Sequence, residues 1–171
     1  MRDISAPRFA KSYLTAAGPE IVTGVFDFQL GPRMGVAVMD VIGWVKGIDY
    51  SAIGTVLETN QHTQSLHLET GTLELPSAPG VDETIIDSEI FFVQTAVLGG
   101  ITTAAAGAGF GVHISPNGLV HYDPPVLTVR NITHRVESEI PLSDLEAGVL
   151  MRYKFVEFTL EEMGLLLALR S

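Results

Sequence analysis

The sequence contains no cysteine. A thiol nucleophile, a cysteine-ligated zinc site and a disulfide framework are therefore excluded, and the redox compartment is left open. Lys and Arg are missing from the whole stretch between Lys46 and Arg130, which carries Asp49, Glu58, Glu69, Glu74, Asp82, Glu83, Asp87, Glu89 and Asp123. Phosphate binding is driven by Lys and Arg, so no strong nucleic-acid binding is expected of that stretch. The bases gather towards the two ends, and Arg2, Arg8 and Lys11 form only a modest basic patch. No long apolar run is present. The longest weakly polar one, Ala96 to Val112, is rich in Gly, Ala and Thr and falls short of the ~20 residues of a membrane helix. No transmembrane segment is expected, and Met1 to Arg8 lacks the apolar core of a secretory signal. Trp44 is the single tryptophan, with four tyrosines beside it, so aromatic surface for stacking sugars is scarce.

The chain has 171 residues, 46% of them apolar, and a net charge of −10. This length suits one domain that folds on its own apolar core, without metal or disulfide. The high apolar content without a membrane span points either to a thick core or to apolar surface covered by partner subunits.

Residues 1–19 mix Pro7, Pro19, Gly18 and scattered charges without a period, and are expected to form an N-terminal arm. Residues 20–171 are expected to form a single β-sandwich domain. Residues 20–30 alternate, with Val22, Phe26, Phe28 and Leu30 on one face, which predicts a half-buried strand ending at Gly31-Pro32. Residues 34–46 are Val- and Ile-rich, and Gly35 and Gly43 argue against a helix there. Further strands are expected at 50–58, at 66–75 and within 84–97, with a polar turn at Thr59 to Thr63. Residues 98–111 read as a long Gly/Ala/Thr connection. Asn117-Gly118 between apolar residues predicts a hairpin joining 111–114 to 119–121, stopped by Asp123-Pro124-Pro125. Residues 126–137 and 148–158 complete the β pattern. In the last, Val149, Met151, Tyr153 and Phe155 share a face, and the shift to Val156 and Phe158 predicts a bulge.

Thr159 followed by Glu162 makes a capping box. Leu160, Met163, Leu166, Leu167 and Ala168 follow at helical spacing, so a short helix over 160–169 is expected. Leu165, Leu166, Leu167 and Leu169 nearly encircle it, as in a helix buried on more than one side. The expected fold is mainly β, a single jelly roll or β-sandwich of about eight strands with a short C-terminal helix. An immunoglobulin-type sandwich is the competing arrangement.

Catalytic signals are thin. No serine lies in a Gly-x-Ser-x-Gly elbow, and Gly107, Gly109 and Gly111 lack the spacing of a dinucleotide loop. Pro116-x-Gly118-x-x-His121 resembles the second signature of the cupins, whose jelly-roll barrel holds a metal through histidines and a glutamate. That resemblance implies a ligand set of His62, His67, Glu69 and His121. The His-x-His pair of the first cupin signature is missing, and the bland reading makes His121 an ordinary strand residue. No catalytic residue, metal or cofactor is assigned.

In outline the whole chain resembles the single jelly-roll capsid proteins of small icosahedral viruses, particularly the sphaerolipovirus-like small major capsid proteins. The likeness is carried by the arm, the Val/Phe-rich strands, the Ala/Gly/Thr connection, Pro124 to Ser138, and Arg152 to Leu169 as last strand plus helix. It implies a non-enzymatic virion protein that forms homo-oligomers and contacts a second coat protein. The small number of bases in the arm suits a shell whose genome is packaged by other means, or one lying over an internal membrane or another protein. Arg8, Phe9 and Tyr13 of the arm and Leu165 and Leu169 of the helix are the expected assembly contacts. A partner- or glycan-binding sandwich using Trp44 is the remaining alternative.

Overall fold

The computed structural model describes residues 1–17, 20–46, 59–68, 90–102, 108–113, 118–138 and 144–168. Ten strands are described: β1 (Arg2–Asp3), β2 (Arg8–Ala17), β3 (Glu20–Phe26), β4 (Met34–Lys46), β5 (Thr59–His67), β6 (Ile90–Thr102), β7 (Ala108–His113), β8 (Gly118–Thr128), β9 (Ile132–Ser138) and β10 (Asp144–Glu157). Helix α1 (Leu160–Ala168) follows the last strand. All strand pairs are antiparallel, in two five-stranded sheets. Sheet A runs β8–β4–β10, with β2 and β1 following one another along the far edge of β10. Sheet B runs β3–β9–β5–β6–β7.

Four nested pairs define the topology: β2 with β10, β3 with β9, β4 with β8, and β5 with β6. A long antiparallel hairpin of paired strands, rolled so that β10 also pairs with β4 and β9 with β5, is a jelly roll. The expected fold class holds, and the immunoglobulin arrangement does not.

Residues 1–17 do not form an irregular arm. Arg8 to Ala17 pairs with β10 in unbroken register, from Arg8 with Tyr153 to Ala17 with Asp144. Ala10 and Leu14 pack against the core on one face, and Ala16 is fully buried. The alternation was there to read, but Lys11, Ser12 and Thr15 between the apolar residues hid it. The preceding residues are tied to β10 as well. Ser5 Oγ accepts from Phe155 N at 2.9 Å, and Lys154 Nζ donates to Asp3 at 2.8 Å.

Strand β4 occupies the predicted span. Its Met39 is passed over by the pairing to both β10 and β8. This bulge flips the side-chain parity: Val36 and Val38 face the core before it, and Val41 after it. Pro124 and Pro125 do not end β8. They lie where its pairing jumps from His121 to Val126, on an edge strand, which is where a sheet tolerates proline. The hairpin expected around Asn117-Gly118 is not formed, because β7 pairs with β6 in sheet B and β8 with β4 in sheet A. Thr59 to Thr63 is strand rather than turn, and β6 and β7 pair across most of the supposed Gly/Ala/Thr connection. The strand expected at 50–58 lies outside the described residues.

The main core lies between the sheets. Val36, Val38 and Val41 of β4 and Val149, Met151 and Tyr153 of β10 meet Leu66, Phe92 and Ile132 of sheet B. Each such buried side chain contributes ~1.5–3 kcal/mol. Val156 and Phe158 need no bulge in β10. They continue its alternation on the opposite face, where Ala37, Leu127 and Val129 join them beneath Met163 and Leu166 of α1. The capping box forms: Thr159 N donates to Glu162 Oε2 at 2.8 Å, and Glu162 N donates to Thr159 Oγ1 at 3.2 Å.

Removing residues 2–6 is expected to cost about 1–2 kcal/mol, because the lost bonds are mostly exposed. Removing residues 1–15 takes away most of β2 and is expected to abolish cooperative urea unfolding. A sharp transition in the longer deletion would refute the role assigned to β2.

Candidate functional site

Helix α1 covers only one end of the outer face of sheet A. The rest is open. Register places its side chains in rows. Phe9, Arg152, Asp40 and His121 lie side by side across the four strands. Lys11, Leu150, Ile42 and Leu119 form the next row. Tyr13, Gly148 and Trp44 form the third.

The middle of the surface is apolar, flanked by the row of Arg152 and Asp40 on one side and that of Thr15, Glu146 and Lys46 on the other. Phe9 and Leu119 are each 66% exposed and Tyr13 44%. Phe9, Ile42, Leu119 and Leu150 bound a cleft of about 340 Å³, with Asp40 and Arg152 along one side. Asp40 bridges two strands: Oδ1 meets His121 Nδ1, and Oδ2 forms an ion pair with Arg152 Nε. The His121 bond, and after it Arg152, hold the Asp40 carboxyl below the usual carboxylate range. The row of Arg152 and Asp40 is therefore charge-paired, and among the described residues no element covers the apolar rows beside it. Half-buried Trp44 lies flat over Gly148, where a Cβ would stand 2.2 Å from the indole. Tyr13 Oη donates to Glu146 Oε2.

Sheet A is charge-balanced, and the strands of sheet B carry only Arg135 against Glu20 and Glu137. The strands of sheet A carry Arg2, Arg8, Lys11, Lys46, Arg152 and Lys154 against Asp3, Asp40, Asp123, Asp144, Glu146 and Glu157, six bases and six acids. The whole net charge of −10 therefore belongs to the remainder of the chain.

The expected contact residues separate. Phe9 and Tyr13 stand on the outer face of sheet A. Arg8 is drawn away, its guanidinium 5.2 Å above the Phe155 ring. Leu165 is 61% exposed on α1, and Leu169 lies outside the described residues. Sequence reading missed Ile42, Leu119 and Leu150. The available signal was an apolar Leu150 on the face that β10 otherwise gives to Glu146, Arg152 and Lys154.

Of the cupin-type ligand set, only the His121 side chain is described, and it is not directed at the other candidates. His121 points outward to Asp40, β5 with His62 and His67 belongs to the other sheet, and Glu69 lies outside the described residues. Among the described residues, no three His, Asp or Glu side chains are placed to hold a metal ion.

The interior instead holds a neutral polar chain that sequence reading missed. Gln64 Nε2 donates to Gln94 Oε1 at 2.6 Å, so Gln64 Oε1 is left to accept from His134 Nε2 at 3.2 Å. His134 Nδ1 then accepts from Ser12 Oγ at 2.8 Å. Position 43 must be glycine for this chain to fit, since a Cβ there would stand 2.4 Å from Gln94 Oε1. Burial pushes the His134 imidazole down to about 4 from 6.5.

No family model and no curated protein matches the chain. Among solved structures it is similar to VP1 of Trichodysplasia spinulosa-associated polyomavirus, solved in complex with sialylated precision glycooligomers. The identity is 8%, the match covers 92% of this chain and 98% of that one, and the TM-score is 0.48. Among the described residues, no helix is long and apolar enough to cross a membrane.

The buried histidine sets a pH dependence. Between about pH 6.5 and about pH 4 the unfolded chain holds a proton at His134 that the folded chain lacks. Stability from this group is complete above pH 6.5 and falls as pH drops through that window, by about 3 kcal/mol in all. In urea melts, His134→Asn is expected to lose about 2–3 kcal/mol less than the wild type between pH 7 and pH 4.5. An identical loss in both would show that this imidazole does not control the acid limb.

Proposed function

We propose that the protein is a structural subunit of a virion shell, acting by association with copies of itself and with a second coat protein. The observation that carries this reading is the outer face of sheet A, an electroneutral surface with exposed Phe9, Tyr13 and Leu119 on an otherwise acidic molecule. Contiguous apolar surface of this kind marks protein–protein contact. Jelly rolls serve as capsid subunits, lectins and cupins, and fold alone does not choose among these. The outward His121 argues against the cupin use. Trp44, lying flat on Gly148, offers only part of its ring to a sugar, which argues against the lectin use.

The charge balance bears on the genome. Arg2, Lys154 and Arg152 are each paired with an acid, so few bases remain to hold phosphates. In this reading the genome is not condensed by this chain, and the inner surface of the shell faces a membrane or another protein.

Light scattering on a size-exclusion column, with negative-stain microscopy of the leading peak, tests the proposal over a range of salt and protein concentration. Rings, sheets or shells are expected. The double substitution Phe9→Asp with Leu119→Asp is expected to keep the wild-type circular dichroism and to elute as a monomer. A wild-type chain that stays monomeric at every concentration, alone and with its coat partner, would overturn the reading.

A further inference from the structure

From the two exposed surfaces of this chain we infer that helix α1 of one copy docks on the outer face of sheet A of the next. This rests on the shell-subunit reading and names its contact. The solvent side of α1 is the stripe Glu161, Gly164, Leu165 and Ala168, at helical spacing. Leu160 and Leu165 are the large apolar side chains exposed on α1 among the described residues, at 73% and 61%, and Glu161 stands one turn before Leu165. Around Gly164 no atom lies within 4 Å of where a Cβ would be, so a second backbone has room to approach.

The sheet face supplies the complement. Leu165 matches the cleft of about 340 Å³ between Phe9, Ile42, Leu119 and Leu150. The exposed Lys11 sits in register with Leu150 at the edge of that cleft, where the Glu161 carboxylate of the docked helix reaches it. The occupant is a second copy because the chain's own helix is committed: Met163 and Leu166 hold it on Ala37, Val156 and Phe158.

Charge favours the same geometry. Two acidic copies meeting through their acidic surfaces repel, whereas an acidic helix start meeting a neutral sheet with an exposed lysine does not. Because α1 and the cleft lie on the same outer face of sheet A, two copies can also make the contact reciprocally about a two-fold axis.

Reversal of the paired charges tests this in the full-length protein, with the concentration at which assembly begins as the readout. Lys11→Glu and Glu161→Lys alone are each expected to raise it about tenfold, and the two together to return it to within about threefold of wild type. Leu165→Asp is expected to abolish assembly. All three positions are exposed, so circular dichroism should not change. Wild-type assembly that is indifferent to the single reversals, or a double variant without rescue, would overturn the helix-to-sheet contact and leave the shell reading standing. Loss of assembly with Phe9→Asp but not with Leu165→Asp would replace it with a face-to-face contact of two sheets. A wild-type chain that never assembles would remove both.

Discussion

The ladder between β4 and β10 is the pairing on which the other features depend. Four nested strand pairs by themselves make one long ribbon with two apolar faces. The ribbon becomes a closed body only where β10 accepts β4 on the edge that β2 leaves free, from Glu146 opposite Lys46 to Glu157 opposite Met34. The equivalent step in sheet B joins β9 to β5. These pairings link residues a hundred or more positions apart in sheet A and about seventy apart in sheet B, so the loop-closure entropy is met before the core rewards it. Once formed, they put Val36, Val38, Val149 and Met151 inside together. They also bring Phe9, Ile42, Leu119 and Leu150 side by side outside, from four separate strands.

The closed body must hold one register among several with similar apolar content. A one-residue slip exchanges the two faces of a strand. Here the exchange would strand the interior polar chain, since Ser12, Gln64, Gln94 and His134 come from four strands in two sheets and satisfy one another only in the observed alignment. Unpaired, each buried polar group costs ~1–3 kcal/mol. The Met39 bulge works to the same end, because it fixes where along β4 the inward parity changes. The network thus contributes more to uniqueness than to net stability.

Much of this was legible from sequence, and the failures have physical causes. The capping box at Thr159 and Glu162, the span of β4 and the alternation of β10 depend on local chemistry, and they were read correctly. Arg8 to Ala17 reads as an arm in sequence because its outward face carries Phe9, Lys11 and Tyr13, which blurs the period-two signal. That blurring was itself the sign of a contact surface, since a solvated strand face would be polar throughout. Asn117-Gly118 was taken for a hairpin because a turn signal reports only that the chain reverses, and here it crosses from one sheet to the other. Val156 and Phe158 were taken for a bulge because a strand with one wet face was assumed. The helix dries the far face locally, and nothing in the strand itself announces that. Leu119 and Ile42 could not be joined to Phe9 without the strand order, which is a tertiary fact.

The size of the helix explains why the open surface exists at all. Nine helical residues span ~14 Å, while the fourteen residues of β10 span ~46 Å. Helix α1 can therefore cover about a third of the strand beneath it, and it covers the end with Ala37, Val156 and Phe158. Beyond its reach the same face stays apolar, with Ile42, Leu150 and Leu119 where a water-facing strand would carry polar residues. Charge is arranged in step with this. Repulsion between copies of charge −10 acts at close range even in physiological salt, where the screening length is ~8 Å, and it is weak across a sheet whose acids and bases balance. A surface that is too apolar for water, too long for its own helix, and neutral on an acidic protein has the properties required for contact with another copy.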